Sequence, residues 1–461
     1  MIRLLAAALA LAPLPALAQD LTPAETARVD QIVTAALAKT GTPSATVAIV
    51  RGGRMVYAHG WGKASETLPA TAAVPYQIAS NSKQFTAAAM LLLQHDGKLS
   101  LDDRVSKYLS GITDGDTITL RQLLSHTSGL QDYWPQDYSF AAMAKPVTPQ
   151  QIVDRWAKKP LDFAPGTQWQ YSNTGYVVAG LIVEKVAGQP LLAFLQQRLF
   201  KPLGITAIDQ DLAVGPGYPV GYQRFALGPV RVERPAARGW LFAAGELSMN
   251  APDLAKWDIA RLDRTGLTPD EWAAQESEVK LADGKGTGYG LGVEVGNDAA
   301  GHRFVEHSGE AVGFLTENIV FPDSKAAVVV FTNADFGNAY TSIAREIAQL
   351  ILPAPRDGEA AKTAEARRVF DSLRAGTLDR SVMTADSNYY FTPTALADYK
   401  ASLSALGEPQ SFAALRGPKL RGGFVNRNYT VTYPDRKLTV VTYAEPGEHG
   451  RYEQFLVQPA N

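Results

Sequence analysis

Ser80-Asn81-Ser82-Lys83-Gln84-Phe85-Thr86-Ala87-Ala88-Ala89-Met90-Leu91-Leu92-Leu93-Gln94 is the stretch that decides how this chain is read. From Phe85 it is apolar nearly all round, and a helix of that kind is buried on every side. Asp96-Gly97 stops it. Its start carries Ser-x-x-Lys. At spacing i, i+3 the two side chains leave one helix face. A lysine buried there loses hydration, its pKa falls, and it becomes able to take the serine proton. A serine at a helix N-terminus also gains from the dipole and the free backbone N–H groups. The competing reading makes Ser80 an N-cap and Lys83 a solvated first-turn lysine. A second copy of the string, Ser277-Glu278-Val279-Lys280, lies in the charged, exposed-looking stretch 270–285. Context therefore separates the two, not the motif.

Upstream of that helix, Thr22-Pro23-Ala24-Glu25 is a capping box with proline at the first helical position. Val29, Ile32, Val33, Ala36 and Leu37 follow at helical spacing. Gly41-Thr42-Pro43 ends the helix, and runs 45–50 and 55–60 flank Gly52-Gly53, a hairpin signal. Downstream, a helical middle extends to about residue 285. Strands return at 303–307, ending at His307-Ser308-Gly309, then at 317–321 and 326–332, before a helix at 341–352. The pattern predicts one α+β domain over residues 19–352, its antiparallel sheet closed by both ends of the segment. Residues 353–363 read as a linker. Residues 364–461 read as a small α+β module: helices at 364–373 and 391–406, then antiparallel strands at 424–433, 437–443 and 452–457.

Composition narrows the chemistry. The 461 residues contain no cysteine, which excludes a thiol nucleophile, a disulfide framework and cysteine–metal sites. The six histidines show no HxH or HxxxH spacing, so neither a metal nor a cofactor is expected. With 44 Lys+Arg against 46 Asp+Glu, there is no electrostatic case for nucleic acid. Residues 1–18 combine Arg3, an apolar run from Leu4 to Leu14 and Ala16-Leu17-Ala18, which reads as a cleaved signal peptide. The mature protein is then expected in the periplasm or secreted, without a membrane span. Nucleophile candidates reduce to Ser, Thr, Lys or a carboxylate, and no GxSxG is present.

Two further strings order the chain. Among eighteen tyrosines only Tyr171-Ser172-Asn173 is followed by x-Asn, and His307-Ser308-Gly309 comes later on a strand. Ser-x-x-Lys, Tyr-x-Asn and His/Lys-Ser/Thr-Gly in this order resemble the penicillin-recognising serine hydrolases, on their class C β-lactamase, DD-peptidase and esterase side. The stretches 123–130 and 243–248 look similar as well, and the resemblance spans about residues 22–352.

The resemblance implies a β-lactamase/transpeptidase-like fold and a set of roles. Ser80 becomes acylated, Lys83 and Tyr171 share the proton work, and Asn173 meets the substrate's acyl-side amide. The backbone N–H groups of Ser80 and Glu310 form the oxyanion hole, beside Ser308 and Gly309. Tyr171 would need Lys83 nearby as a cation to act as a base. His307 replaces the more usual lysine, which weakens the grip on a substrate carboxylate. Substrates would be small molecules or peptides: D-amino acid amides, esters or β-lactams. DD-peptidase or amidase/esterase activity ranks above β-lactamase activity, and a non-turnover penicillin-binding sensor is the reading from another class.

Other expectations complete the reading. His126 is a buried turn residue. Tyr133, Trp134, Tyr138 and Phe140 either line the cleft or pack their loop. His59, His302 and His449 lie on the surface. The C-terminal module is similar to cystatin- or NTF2-like folds.

Overall fold

The computed structural model describes residues 20–134, 141–298, 300–352, 357–447 and 449–460. The expected signal peptide lies outside them, as do Tyr138 and Phe140. Helix α1 (Pro23–Thr40) has the capping box in full: the Glu25 N–H donates to the Thr22 hydroxyl, and the Thr22 N–H to the Glu25 carboxylate at 2.8 Å. Strands β1 (Ser44–Arg51) and β2 (Arg54–Gly62) form the hairpin. Gly52 and Gly53 both take positive φ there, as a two-residue hairpin turn of matching twist requires.

Helix α2 (Lys83–His95) follows a 3₁₀ turn, Ala79–Ser82, and is buried from Lys83 to Leu93. Burial of each large apolar side chain here contributes roughly 1.5–3 kcal/mol, so this helix anchors the core. Helices α3 (Asn173–Ala187), α4 (Ala251–Asp263) and α5 (Pro269–Glu276) pack around it. Strands β3 (Glu294–Asn297), β4 (Arg303–Ala311), β5 (Phe314–Phe321) and β6 (Ala326–Thr332) then complete an antiparallel sheet of order β2-β1-β6-β5-β4-β3. The pairing Val47↔Val330 joins the two ends of the domain. Helices α1 and α6 (Ala339–Ile351) cover one face through Val29, Ile343 and Ile347. The other face meets α2 and the helical region.

Three expectations need correction. His307-Ser308-Gly309 does not end its strand: β4 continues to Ala311 and turns through Val312-Gly313 into β5. Polar residues are tolerated in the middle of this strand because β3 pairs with β4 only from Arg303 to Glu306, leaving the rest of that edge to the cleft. The stretch 270–285 is not simply exposed: α5 buries Trp272, and Glu276 is buried against Arg261 and Arg264. His302 is half-buried, its Nδ1 lying 3.0 Å from the Asp298 carboxylate.

Within the expected linker, helix α7 (Asp357–Ala375) already begins. It is followed by α8 (Ala385–Tyr390) and α9 (Pro393–Ser404). A sheet of order β7-β9-β10-β11 comes next: β7 (Ser411–Ala414), β8 (Lys419–Arg421, paired with β9), β9 (Phe424–Thr432), β10 (Lys437–Ala444) and β11 (Tyr452–Pro459). β7, β8 and α8 are too short to show a period. Phe370, Phe391, Tyr429, Val440 and Phe455 form a core separate from that of residues 29–351, the mark of a second domain.

Candidate active site

Ser80 sits on the 3₁₀ turn, just after Ala79, whose φ of 49° is a left-handed conformation that a non-glycine residue adopts only when its surroundings enforce it. The turn lifts the Ser80 hydroxyl to the mouth of a cleft of about 230 Å³. Trp134, Tyr171, Asn173, Leu241, Ala244, Glu294, His307, Ser308 and Glu310 form the other walls. Gly309 lies behind this lining. A Cβ there would overlap the Ile78 carbonyl oxygen and the Thr316 hydroxyl, so only glycine lets β4 press against the Ser80 turn.

The Lys83 ammonium nitrogen is fully buried and has three oxygen neighbours: Ser80 Oγ at 2.9 Å, Asn173 Oδ1 at 2.8 Å and the Ala244 carbonyl at 2.7 Å. Burial pulls its pKa down to about 7, with Asp132 pulling the other way. In the neutral amine two N–H bonds satisfy Asn173 and Ala244, whose oxygens can only accept. The lone pair is then directed at Ser80, whose hydroxyl can donate. The arrangement is the geometry a general base needs to take a proton from a serine hydroxyl. The second Ser-x-x-Lys is exposed, and its Ser277 hydroxyl donates to the Ala273 carbonyl.

Tyr171 hydrogen-bonds to Ser80, and burial drives its phenol far above the ordinary range. Its ring centroid lies 4.8 Å from Lys83 Nζ. Lys83 is thus beside Tyr171, as expected, while burial disfavours the phenolate and suits the phenol to passing a proton. His126, buried at φ 60°, packs its ring 4.2 Å from that of Tyr171. Its Nδ1 accepts the Ser172 N–H at 3.0 Å.

His307 is also neutral. Burial first, then the nearby Lys83, lowers its pKa to about 3. Its Nδ1 lies 2.5 Å from the Ser308 carbonyl, an acceptor only, so Nδ1 carries the proton and Nε2 accepts the Tyr289 hydroxyl at 2.8 Å.

A family model described as Beta-lactamase matches residues 29–352. The chain belongs to the beta-lactamase family. It is a serine hydrolase by that membership. Penicillin-binding protein 4* of Bacillus subtilis is 30% identical over 67% of this chain and 72% of its own length. A D-stereospecific amidohydrolase from Streptomyces superposes with a TM-score of 0.60 at 29% identity, covering 69% of this chain and 96% of its own. The octameric penicillin-binding protein homologue from Pyrococcus abyssi has a TM-score of 0.62 at 20% identity over 94% of this chain and 99% of its own, which shows likeness of fold.

In this beta-lactamase family member the cleft gathers all the anticipated residues around Ser80, with Gly309 as backing. It also contains residues that no sequence motif singled out. Asp132, from the loop after the short helix Leu120–Leu124, accepts the Asn173 N–H at 2.9 Å and its Nδ2–H at 3.1 Å. Tyr289 and Glu294 reach the site from the chain before β4. Trp134 lines the cleft, whereas Tyr133 is buried with its hydroxyl on the Trp240 carbonyl. The C-terminal module contributes none of the described lining residues.

Proposed function

We propose that this protein is an exported hydrolase that cleaves amide or ester bonds through an acyl-enzyme on Ser80, with DD-peptidase-like or related D-amino acid amidase/esterase activity. The observation that carries the reading is the fully buried Lys83, 2.9 Å from Ser80 and held by two acceptor oxygens. In the proposed sequence, Ser80 Oγ attacks the carbonyl carbon while its proton passes to Lys83. Backbone N–H groups of Ser80 and Glu310 hold the oxyanion, each such donor contributing ~3–4 kcal/mol. The carbonyl C–N or C–O bond then breaks as Tyr171 gives its phenolic proton to the leaving nitrogen or oxygen and takes in return the proton held by Lys83, which is neutral again. Water, deprotonated by the same base, releases the acyl group and regenerates Ser80. Asn173 positions the acyl side of the substrate.

Amidase, esterase and peptidase chemistry rank above β-lactam hydrolysis because a β-lactamase must also deacylate fast, whereas the contacts of Lys83 with Ser80, Asn173 and Ala244 serve acylation. Export rests on the signal-like residues 1–18. The test is labelling of the mature protein with a fluorescent penicillin and with a fluorophosphonate, followed by mass spectrometry. An adduct on Ser80 supports the reading, and rapid β-lactam loss would move it to β-lactamase. A stable penicillin adduct without turnover of any amide or ester would make it a sensor. If Ser80→Ala retains full turnover, the assignment is wrong. Recovery of a periplasmic chain beginning at Gln19 would establish the cleavage, and retention of residues 1–18 would refute it.

A further inference from the structure

The wall of the cleft beside His307 is acidic. Glu294, the first residue of β3, is exposed and lines the cleft, as does Glu310. Among the described lining residues there is no arginine or lysine. His307 has its two ring nitrogens engaged by Tyr289 and Ser308, and it is uncharged.

The guanidinium that acts on Glu294, that of Arg345, is committed to another carboxylate. Glu294 stands directly across from Glu306 in the β3–β4 register. Glu306 in turn binds Arg345 of α6. Glu317, on β5, is buried and also interacts with Arg345. Arg345 is thus held by Glu306, and burial raises Glu306 to about 7 and Glu317 to about 8, so the acidity of this wall rests on Glu294 and not on the carboxylates behind it. Partial burial raises the pKa of Glu294, with Arg345 opposing. An arriving cation would hold it ionised, by the same rule that an opposite charge within a few ångströms favours the charged form. An arriving carboxylate would meet like charge in a partly desolvated place.

We propose that Glu294 makes the His307 end of the cleft a subsite for a cationic group, so that the preferred substrates present an ammonium there and not a free carboxylate. The inference rests on the Ser80 acyl-enzyme reading and names the substrate class for it. The chemistry that fits is an acyl-D-alanyl amide whose leaving amine carries a second, protonated amine.

The test uses three matched substrates on the full mature protein: acetyl-D-alanine joined to D-alanine, to D-alaninamide, and to ethylenediamine with its second amine protonated. The expected order of kcat/KM in the wild type is cationic, then neutral, then carboxylate. The advantage of the first over the third should shrink as salt rises from about 0.02 to about 0.5 M, because the screening length shortens over that range. In Glu294→Gln the cation-to-carboxylate ratio should fall at least ~10-fold, whatever happens to the absolute rates, and in Glu294→Arg it should invert. A ratio unchanged by both substitutions overturns the proposal, and so does a wild type that prefers the carboxylate. The two readings fail differently. If Ser80→Ala keeps turnover of the neutral substrate, the acyl-enzyme reading falls. If Ser80→Ala is dead but the ratio ignores Glu294, only the subsite falls. A wild type inert on all three substrates counts against both.

Discussion

Oδ1 of Asn173 lies 2.8 Å from Nζ of Lys83, and Asp132 fixes it there by accepting both the Asn173 N–H and its Nδ2. An amide can turn either end toward a neighbour. Asp132, an acceptor when ionised, allows only one orientation, with oxygen toward the amine. The amine thereby keeps its lone pair for Ser80.

Lys83 should accordingly be the most sensitive side chain after Ser80. Lys83→Ala is expected to slow acylation of Ser80 by at least ~100-fold, the usual worth of a positioned base. Lys83→Arg should be as poor, because guanidinium stays protonated. The check is single-turnover labelling by a fluorophosphonate, with circular dichroism to establish folding. Equal labelling rates in wild type and Lys83→Ala would remove the base role.

The acylation rate should depend on pH through Lys83. The base must be neutral, so the rate rises with pH and levels off above about 7, where Lys83 has lost its proton. Asp132 raises the Lys83 pKa, so Asp132→Asn should move that limb to lower pH. It should also lower the plateau about 10-fold, because the introduced carboxamide could donate to Asn173 and release its amide from the single orientation. A purely structural role for Asp132 would lower the plateau without moving the limb.

Gly309→Ala is expected to cost far more activity than stability. Its Cβ would overlap the Ile78 carbonyl and the Thr316 hydroxyl, pushing β4 away from the Ser80 turn. A displacement near ~1 Å at reacting groups typically costs ~100-fold in rate. Steady-state kcat/KM beside a melting curve separates the two effects; loss of both in proportion would indicate simple unfolding.

Stability should fall as pH rises from about 5 to about 8. Buried Asp258 has its carboxyl raised to about 7, and Glu246 and Glu317 to about 8, in each case mainly by burial. The folded chain therefore binds more protons than the unfolded one across this window, and stability is lost as these groups ionise. Lys83 acts oppositely, chiefly between about 7 and its ordinary value of 10.5, and His307 does so between about 3 and 6.5, against the three carboxyls that dominate the window. Asp258 has one oxygen on Asn318 at 2.7 Å and the other without a partner. Asp258→Asn should therefore raise the melting temperature more near pH ~8 than near pH ~5. An equal shift at both would discard the ionisation argument.

Deletion after Leu352 should leave Ser80 labelling intact. The C-terminal module has its own core around Phe370 and Val440 and lends no described residue to the cleft. A truncated protein that melts normally but labels slowly would show that the module acts on the site.

The covalent order of the chain settled much of this. Local periodicity marked α1, the first hairpin and the buried helix after Ser80, because each buries a regular face. Absence of cysteine leaves serine among the few nucleophiles, and the apolar setting of Lys83 sets its Ser-x-x-Lys apart from the exposed one. Only the tertiary structure decided what surrounds that pair. Asp132, Tyr289 and Glu294 belong to no local pattern, and their meaning is contact across the fold. The charge states were equally hidden. Burial favours the neutral forms of Tyr171 and His307 and brings Lys83 down to about 7 because many distant segments exclude water around them, and desolvation is a property of the packed site, not of any short string.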